Sequence, residues 1–120
     1  FYFMGICLGH QIIWELNELV IGYCEQPVHG HVVNYTLPKQ LGNKLGLPSK
    51  ISVQRYNSLA VKITNTLEKE LRDKGWDLFF VNEELIISSS KNMTTYQFHP
   101  ESIGTTCPKA FFGPVFQFLL

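Results

Sequence analysis

An almost unbroken apolar run, Phe1 to Ile6, opens the chain and suits a strand buried on both faces of a parallel sheet. From Gly9 the period changes. Ile12, Ile13, Leu16, Leu19 and Val20 fall at helical spacing, which predicts an amphipathic helix over 9–18 with Leu19 to Tyr23 as the next strand. Glu25 to Gly30 is loop chemistry, and His31 to Leu37 alternates loosely, as an edge strand or hairpin arm does. Gly42, Gly46 and Pro48 leave room for one short helical turn between Pro38 and Lys50. Ile51 to Arg55 and Ala60 to Ile63 read as strands linked by Tyr56-Asn57-Ser58-Leu59. Thr66 is placed to cap a short helix, Leu67 to Lys74, that Gly75 closes. Asp77 to Val81 and Leu85 to Ser89 form a hairpin around Asn82-Glu83-Glu84, and Thr94 to His99 is the last strand. After Pro108, the residues Phe111, Phe112, Val115, Phe116 and Leu119 make a second helical stripe, kinked or delayed by Gly113-Pro114. The order predicts an α/β domain with helices on a mainly parallel sheet and an antiparallel excursion.

Composition narrows the class. At 120 residues and 45% apolar, the chain suits one small domain with a core of its own. Ten basic and ten acidic residues cancel with no basic run, so nothing supports nucleic-acid or anionic-membrane binding. No stretch is long and apolar enough to span a bilayer, and no charged region precedes the opening apolar one as in a signal peptide. Cys7, Cys24 and Cys107 cannot all pair and lack zinc-type spacing, so a reduced, cytoplasmic setting is expected. The sequons at Asn34 and Asn92 are assigned to chance. A domain seldom begins on a central apolar strand, so the chain reads as a piece of something longer.

Two motifs carry chemistry. Gly5-Ile6-Cys7-Leu8-Gly9-His10-Gln11 sets a cysteine between glycines at a strand-to-helix junction, the layout of a nucleophile elbow. The expectation is that each glycine leaves space a Cβ would fill, and that the helix N-terminus favours the thiolate. The second motif is Gln97-Phe98-His99-Pro100-Glu101-Ser102. Pro100 holds His99 extended, and residues two apart in an extended chain point the same way. His99 and Glu101 therefore share a face, where a carboxylate can orient an imidazole. Cys7, His99 and Glu101 supply nucleophile, base and orienter. Taken singly, a buried structural cysteine, a strand-end histidine and a helix-start acid are the plainer readings; it is the combination that favours catalysis.

Both motifs closely resemble the signatures of class I glutamine amidotransferase domains, in the family's order and over nearly the whole chain. His29-Gly30 and Arg55-Tyr56-Asn57-Ser58-Leu59 resemble further blocks of one branch, the small subunits of anthranilate and aminodeoxychorismate synthases. The resemblance implies a three-layer, flavodoxin-like α/β fold, a mainly parallel sheet with helices on both faces, with residues 1–120 as the C-terminal two-thirds of a single domain. It implies that Cys7 attacks the side-chain amide of glutamine, that water hydrolyses the glutamyl thioester, and that His99, oriented by Glu101, shuttles protons. The Leu8 N–H would donate to the oxyanion, Gln11 would contact substrate, and the backbone of Ser58 and Leu59 would hold its α-amino and carboxylate ends. His29 and Gly30 would face the synthase, with a solvated loop histidine as the plainer alternative. The implied partner is a chorismate-using synthase, separate or fused, that receives ammonia. No cofactor is implied for the amidotransferase; magnesium is implied only for the synthase.

The chain departs from the family in lacking the opening strands and the glycine-rich loop that supplies a second oxyanion donor. Losing one such donor typically lowers the rate by about 10²–10³, so weak glutaminase activity is expected of these residues alone. Asn17-Glu18 stands where relatives often carry glycine. A non-catalytic module that binds the synthase is the alternative from another class. An amidotransferase serving GMP or carbamoyl phosphate synthesis is the alternative from within the family.

Overall fold

The computed structural model describes residues 2–24, 30–101 and 108–112. Among them the chain runs β1 (Phe3–Ile6), α1 (Leu8–Leu16), β2 (Val20–Tyr23), β3 (His31–Thr36), α2 (Lys39–Leu45), β4 (Lys50–Arg55), β5 (Leu59–Lys62), α3 (Asn65–Asp73), β6 (Asp77–Val81), β7 (Glu84–Ser89) and β8 (Met93–Tyr96). A short 3₁₀ turn follows at Pro108–Phe112. The later positions of the expected terminal stripe lie outside the described residues.

Six strands form one sheet in the order β1-β8-β7-β5-β2, with β6 along the other side of β7. The mainly parallel sheet expected from the sequence is corrected to a mixed one. Among the described residues only β1 and β8 pair in parallel; β8–β7, β7–β6, β7–β5 and β5–β2 are all antiparallel. Connectivity explains this for β6, β7 and β8, because turns as short as those between them cannot make the crossover a parallel pair needs. The burial expected for Phe1 to Ile6 is corrected too. Within the described sheet β1 is an edge, and Phe3 is 53% exposed. The strands β3 and β4 leave the main sheet as a separate antiparallel ribbon.

Two hydrophobic clusters lie on opposite faces, giving three layers with helices on both. On one, Trp14 of α1 packs with Leu19, Val61, Ile63, Leu78 and Leu85, joined by Leu67 and Leu71 of α3. On the other, Leu41 and Leu45 of α2 and the β3–β4 ribbon cover Ile86, Ile87, Tyr96, Phe98 and Phe111. Successive strand residues ordinarily face opposite ways. Ile86 and Ile87 share a face because the β6–β7 register slips between Phe79 and Phe80, a bulge that leaves Ile86 unmatched.

Local chemistry sets the ends of the elements. α3 is capped by Thr64, whose Oγ1 accepts from the Leu67 N–H, and not by Thr66, which lies inside the first turn. α1 stops where Asn17 Nδ2 donates to the Ile13 carbonyl and Glu18 turns left-handed at φ 68°. Asn82 and Glu83 both have positive φ, as a two-residue hairpin turn with the right twist requires. Glu84, expected in that turn, begins β7 instead.

Candidate active site

Parallel pairing puts the C-terminal ends of β1 and β8 side by side, with Ile6 opposite Tyr96. The residues that follow each strand are therefore neighbours, although about ninety positions apart in the chain. Cys7 sits at this junction. Its N–H donates to the Tyr96 carbonyl at 2.8 Å, and its own carbonyl accepts from the Gln11 N–H at 3.0 Å as the N-cap of α1. At φ 52° and ψ −103° the backbone of Cys7 is in a region few side-chain-bearing residues occupy. Such strain is worth about 1–3 kcal/mol and collects at functional sites.

The two glycines flanking Cys7 differ. A Cβ on Gly5 would stand 2.7 Å from Ile13 Cδ1 and 3.2 Å from the Gly9 carbonyl group, so a side chain there would force Ile13 and the Gly9 backbone to give way. Around a Cβ on Gly9, nothing lies within 4 Å. The expectation that both glycines are sterically required is thus corrected for Gly9. The expectation of a favoured thiolate is corrected as well. Burial pushes the Cys7 thiol above its ordinary value, the backbone bond from Leu8 opposes that, and the charge of Glu101 adds to it. Cys7 rests as a thiol and needs a base to take its proton.

A cavity of about 220 Å³ opens at the elbow, lined by Cys7, Leu8, Gln11, Tyr56, Asn57, Ser58 and Leu59. It is smaller than the roughly 300–1,000 Å³ clefts that take drug-sized ligands, a scale that suits one small metabolite. The wall at 56–59 is held from beneath. Asn57 Nδ2 and Gln11 Nε2 both donate to the Leu59 carbonyl, at 2.9 and 3.0 Å. Arg55 Nε donates to Asn57 Oδ1 at 3.0 Å, and the guanidinium also reaches the Tyr35 hydroxyl at 3.1 Å and Glu84 at 3.6 Å. Cys24 lies in this buried network, its backbone N–H bonded to the Ser58 carbonyl and its sulfur to Asn57 Nδ2. Burial is the leading reason that the Cys24 thiol too stands above its ordinary value.

His99 follows β8 and forms an isolated bridge with Gln54. Its Nδ1 lies 2.7 Å from Glu101 Oε1, and its ring meets the Tyr56 ring edge-on at 5.6 Å. Tyr56 thus touches the histidine on one side and lines the Cys7 cavity on the other. Gly30, left-handed at φ 77°, packs under Tyr56, where a Cβ would stand 3.1 Å from the ring. His29, Ser102 and Cys107 lie outside the described residues. The sequence reading gave no role to Tyr56, Asn57, Arg55 or Gln97, although all four fall inside the blocks it had singled out.

A buried polar chain runs behind the elbow. Trp14 Nε1 donates to Ser88 Oγ at 3.1 Å, Ser88 and Thr95 share a hydroxyl contact, and Thr95 Oγ1 meets His10 Nδ1 at 2.7 Å. His10 Nε2 donates to the Leu85 carbonyl at 3.1 Å, since a carbonyl can only accept. In the neutral ring Nδ1 then accepts from the Thr95 hydroxyl. Desolvation, only partly offset by the Leu85 carbonyl, lowers its pKa to about 4.

The sheet, the strained cysteine at its β1–α1 junction and the cavity beside it define an α/β domain of the nucleophile-elbow class. The sequence model of the glutamine amidotransferase class-I family matches residues 2–117, and the chain belongs to that family. It is 37% identical over 111 residues to anthranilate synthase component 2 of Buchnera aphidicola subsp. Schizaphis graminum, a match covering 86% of this chain and 50% of the relative. It is 34% identical over 108 residues to aminodeoxychorismate synthase of Streptomyces griseus, covering 85% of this chain and 13% of that one. The chain spans about half the length of the component 2 relatives it matches. Among solved structures, a Thermoplasma acidophilum protein assigned to GMP synthase superposes with a TM-score of 0.73 at 19% identity, covering 99% of this chain and 59% of that one. That likeness is one of fold.

Proposed function

We propose that this chain is the glutaminase part of a chorismate-amination system. Cys7 Sγ attacks the side-chain amide of glutamine as His99 takes the thiol proton and passes it to the departing ammonia. Water then cleaves the glutamyl thioester, with His99 again moving the proton. Glu101 Oε1, 2.7 Å from His99 Nδ1, holds the ring and balances the imidazolium. The Leu8 N–H, at the start of α1, is the oxyanion donor within this chain. Gln11, Ser58 and Leu59 bind the substrate, and the ammonia passes to a chorismate-using synthase. The observation that carries this reading is the elbow cavity, where a strained cysteine faces Gln11, Ser58 and Leu59 across a space of one small molecule's size. The names of the relatives favour the chorismate branch over the GMP one.

The test is covalent labelling of the full protein with a glutamine-like electrophile, read by peptide mass spectrometry. Cys7 is labelled and Cys24 spared. With the synthase present, Cys7→Ser loses amination from glutamine and keeps amination from added ammonium salt. Label elsewhere, or glutamine-dependent product from Cys7→Ser, ends the proposal.

A further inference from the structure

Gln97 is wholly buried just after β8, and the steps above give it nothing to do. Its backbone N–H is anchored on the Ile86 carbonyl at 2.9 Å. Its side chain lies between two residues of the cavity. Oε1 accepts from Gln11 Nε2 at 3.2 Å, and Nε2 stands 3.9 Å from the Cys7 sulfur.

One backbone carbonyl fixes the direction of both amides. The Leu59 carbonyl is an acceptor only, so Gln11 must turn its NH₂ group towards it. The same NH₂ also meets Gln97, which must answer with oxygen. The NH₂ group of Gln97 is thereby left facing sulfur. A thiol is a weak acceptor for such a donor, whereas a thiolate is a charged one, and charge roughly doubles the strength of a hydrogen bond.

We propose that Gln97 is a further catalytic residue, donating a hydrogen bond to the Cys7 sulfur that strengthens as the sulfur gives up its proton. It rests on Cys7 being the nucleophile. Through its other end Gln97 also ties the nucleophile to Gln11, so sulfur and substrate pocket are positioned together. The other ionisable groups at this place are Glu101, whose charge acts on Cys7, His99 bonded to it, and Tyr56 on the cavity wall. Substitution of Gln97 leaves all three in place.

The test is the pH dependence of iodoacetamide alkylation at Cys7, followed on the Cys7 peptide in wild type, Gln97→Met and Gln97→Glu. Met keeps the length and lacks the donor; Glu keeps the shape and replaces the donor with an acid. The alkylation midpoint rises by about one pH unit in Gln97→Met, tenfold less thiolate at a given pH, and at least as far in Gln97→Glu. In wild type, the Gln97 side-chain amide signals in ¹⁵N-resolved spectra shift with the same midpoint. Unmoved midpoints in folded variants overturn the proposal, and so do wild-type amide signals that stay fixed while Cys7 titrates, whether or not the variants fold. Failure of the glutamine-like electrophile to label Cys7 would instead sink the functional reading, which the iodoacetamide profile does not test.

Discussion

At the scale of single residues, burial holds Cys7 and His10 in their uncharged forms. His10 is the clearest case. Its folded pKa, about 4, lies below the ordinary 6.5, so between these values the unfolded chain binds the extra proton and acid favours unfolding. Stability from this group is fully present above pH 6.5 and is lost as pH falls towards 4, to a total of about 3 kcal/mol. Urea unfolding of wild type against His10→Gln across that window should show the wild type falling more steeply with acid. Parallel curves would remove His10 from the acid response. Sequence patterning could not reveal this, because His10 reads as one polar position on an amphipathic helix. Its neutrality follows from burial, among partners that include Thr95 and Leu85, eighty-five and seventy-five positions away.

At the scale of elements, the elbow is built from one close approach and one strained residue. Gly5→Ala would press a Cβ against the Gly9 carbonyl and Ile13, an overpacking that destabilises by about 1–3 kcal/mol. Gly9→Ala, which meets nothing, should match or exceed wild-type stability, since alanine is the better helix former by up to about 1 kcal/mol. Thermal unfolding of the two variants separates the cases, and equal losses would refute the asymmetry. The element pattern itself was largely legible. The switch from an apolar run to helical spacing at Gly9 marks β1 and α1, and Asn82 marks the β6–β7 turn. Two details were hidden. Thr64 and Thr66 look alike to a capping rule, and only Thr64 keeps an extended backbone. The bulge at Ile86 leaves no trace in a strand that is apolar on both sides. In the site, the motifs marked Cys7, His99 and Glu101, whereas Arg55, Asn57 and Gln97 act through partners that no local pattern names.

At the scale of the molecule, one acid joins the layers. Glu84 on β7 meets Arg55 of the β3–β4 ribbon at 3.6 Å and Lys62 of β5 at 3.2 Å, its side chain 6% exposed. Removing one partner of a buried pair strands the other, at about 3–5 kcal/mol. Glu84→Ala should therefore lose that much, whereas Lys62→Ala, whose side chain is 32% exposed, should lose about 1 kcal/mol or less. Denaturant midpoints decide it; similar values for the two would show that Arg55 does not depend on Glu84. Sequence order did not foretell the mixed sheet, because parallel and antiparallel neighbours share the same apolar runs. Only the short turns between β6, β7 and β8 fix the sign of their pairings.

The bond from the Cys7 N–H to the Tyr96 carbonyl has a consequence for how the protein is made. The two ends of that contact leave the ribosome well apart in time, and closing so long a loop is among the slower events of folding. Until β8 has emerged, β1 lacks the neighbour that holds the bend at position 7, and the thiol there is an ordinary one on a loose chain. The strained backbone at Cys7 is thus absent from the nascent polypeptide and forms only when β8 docks.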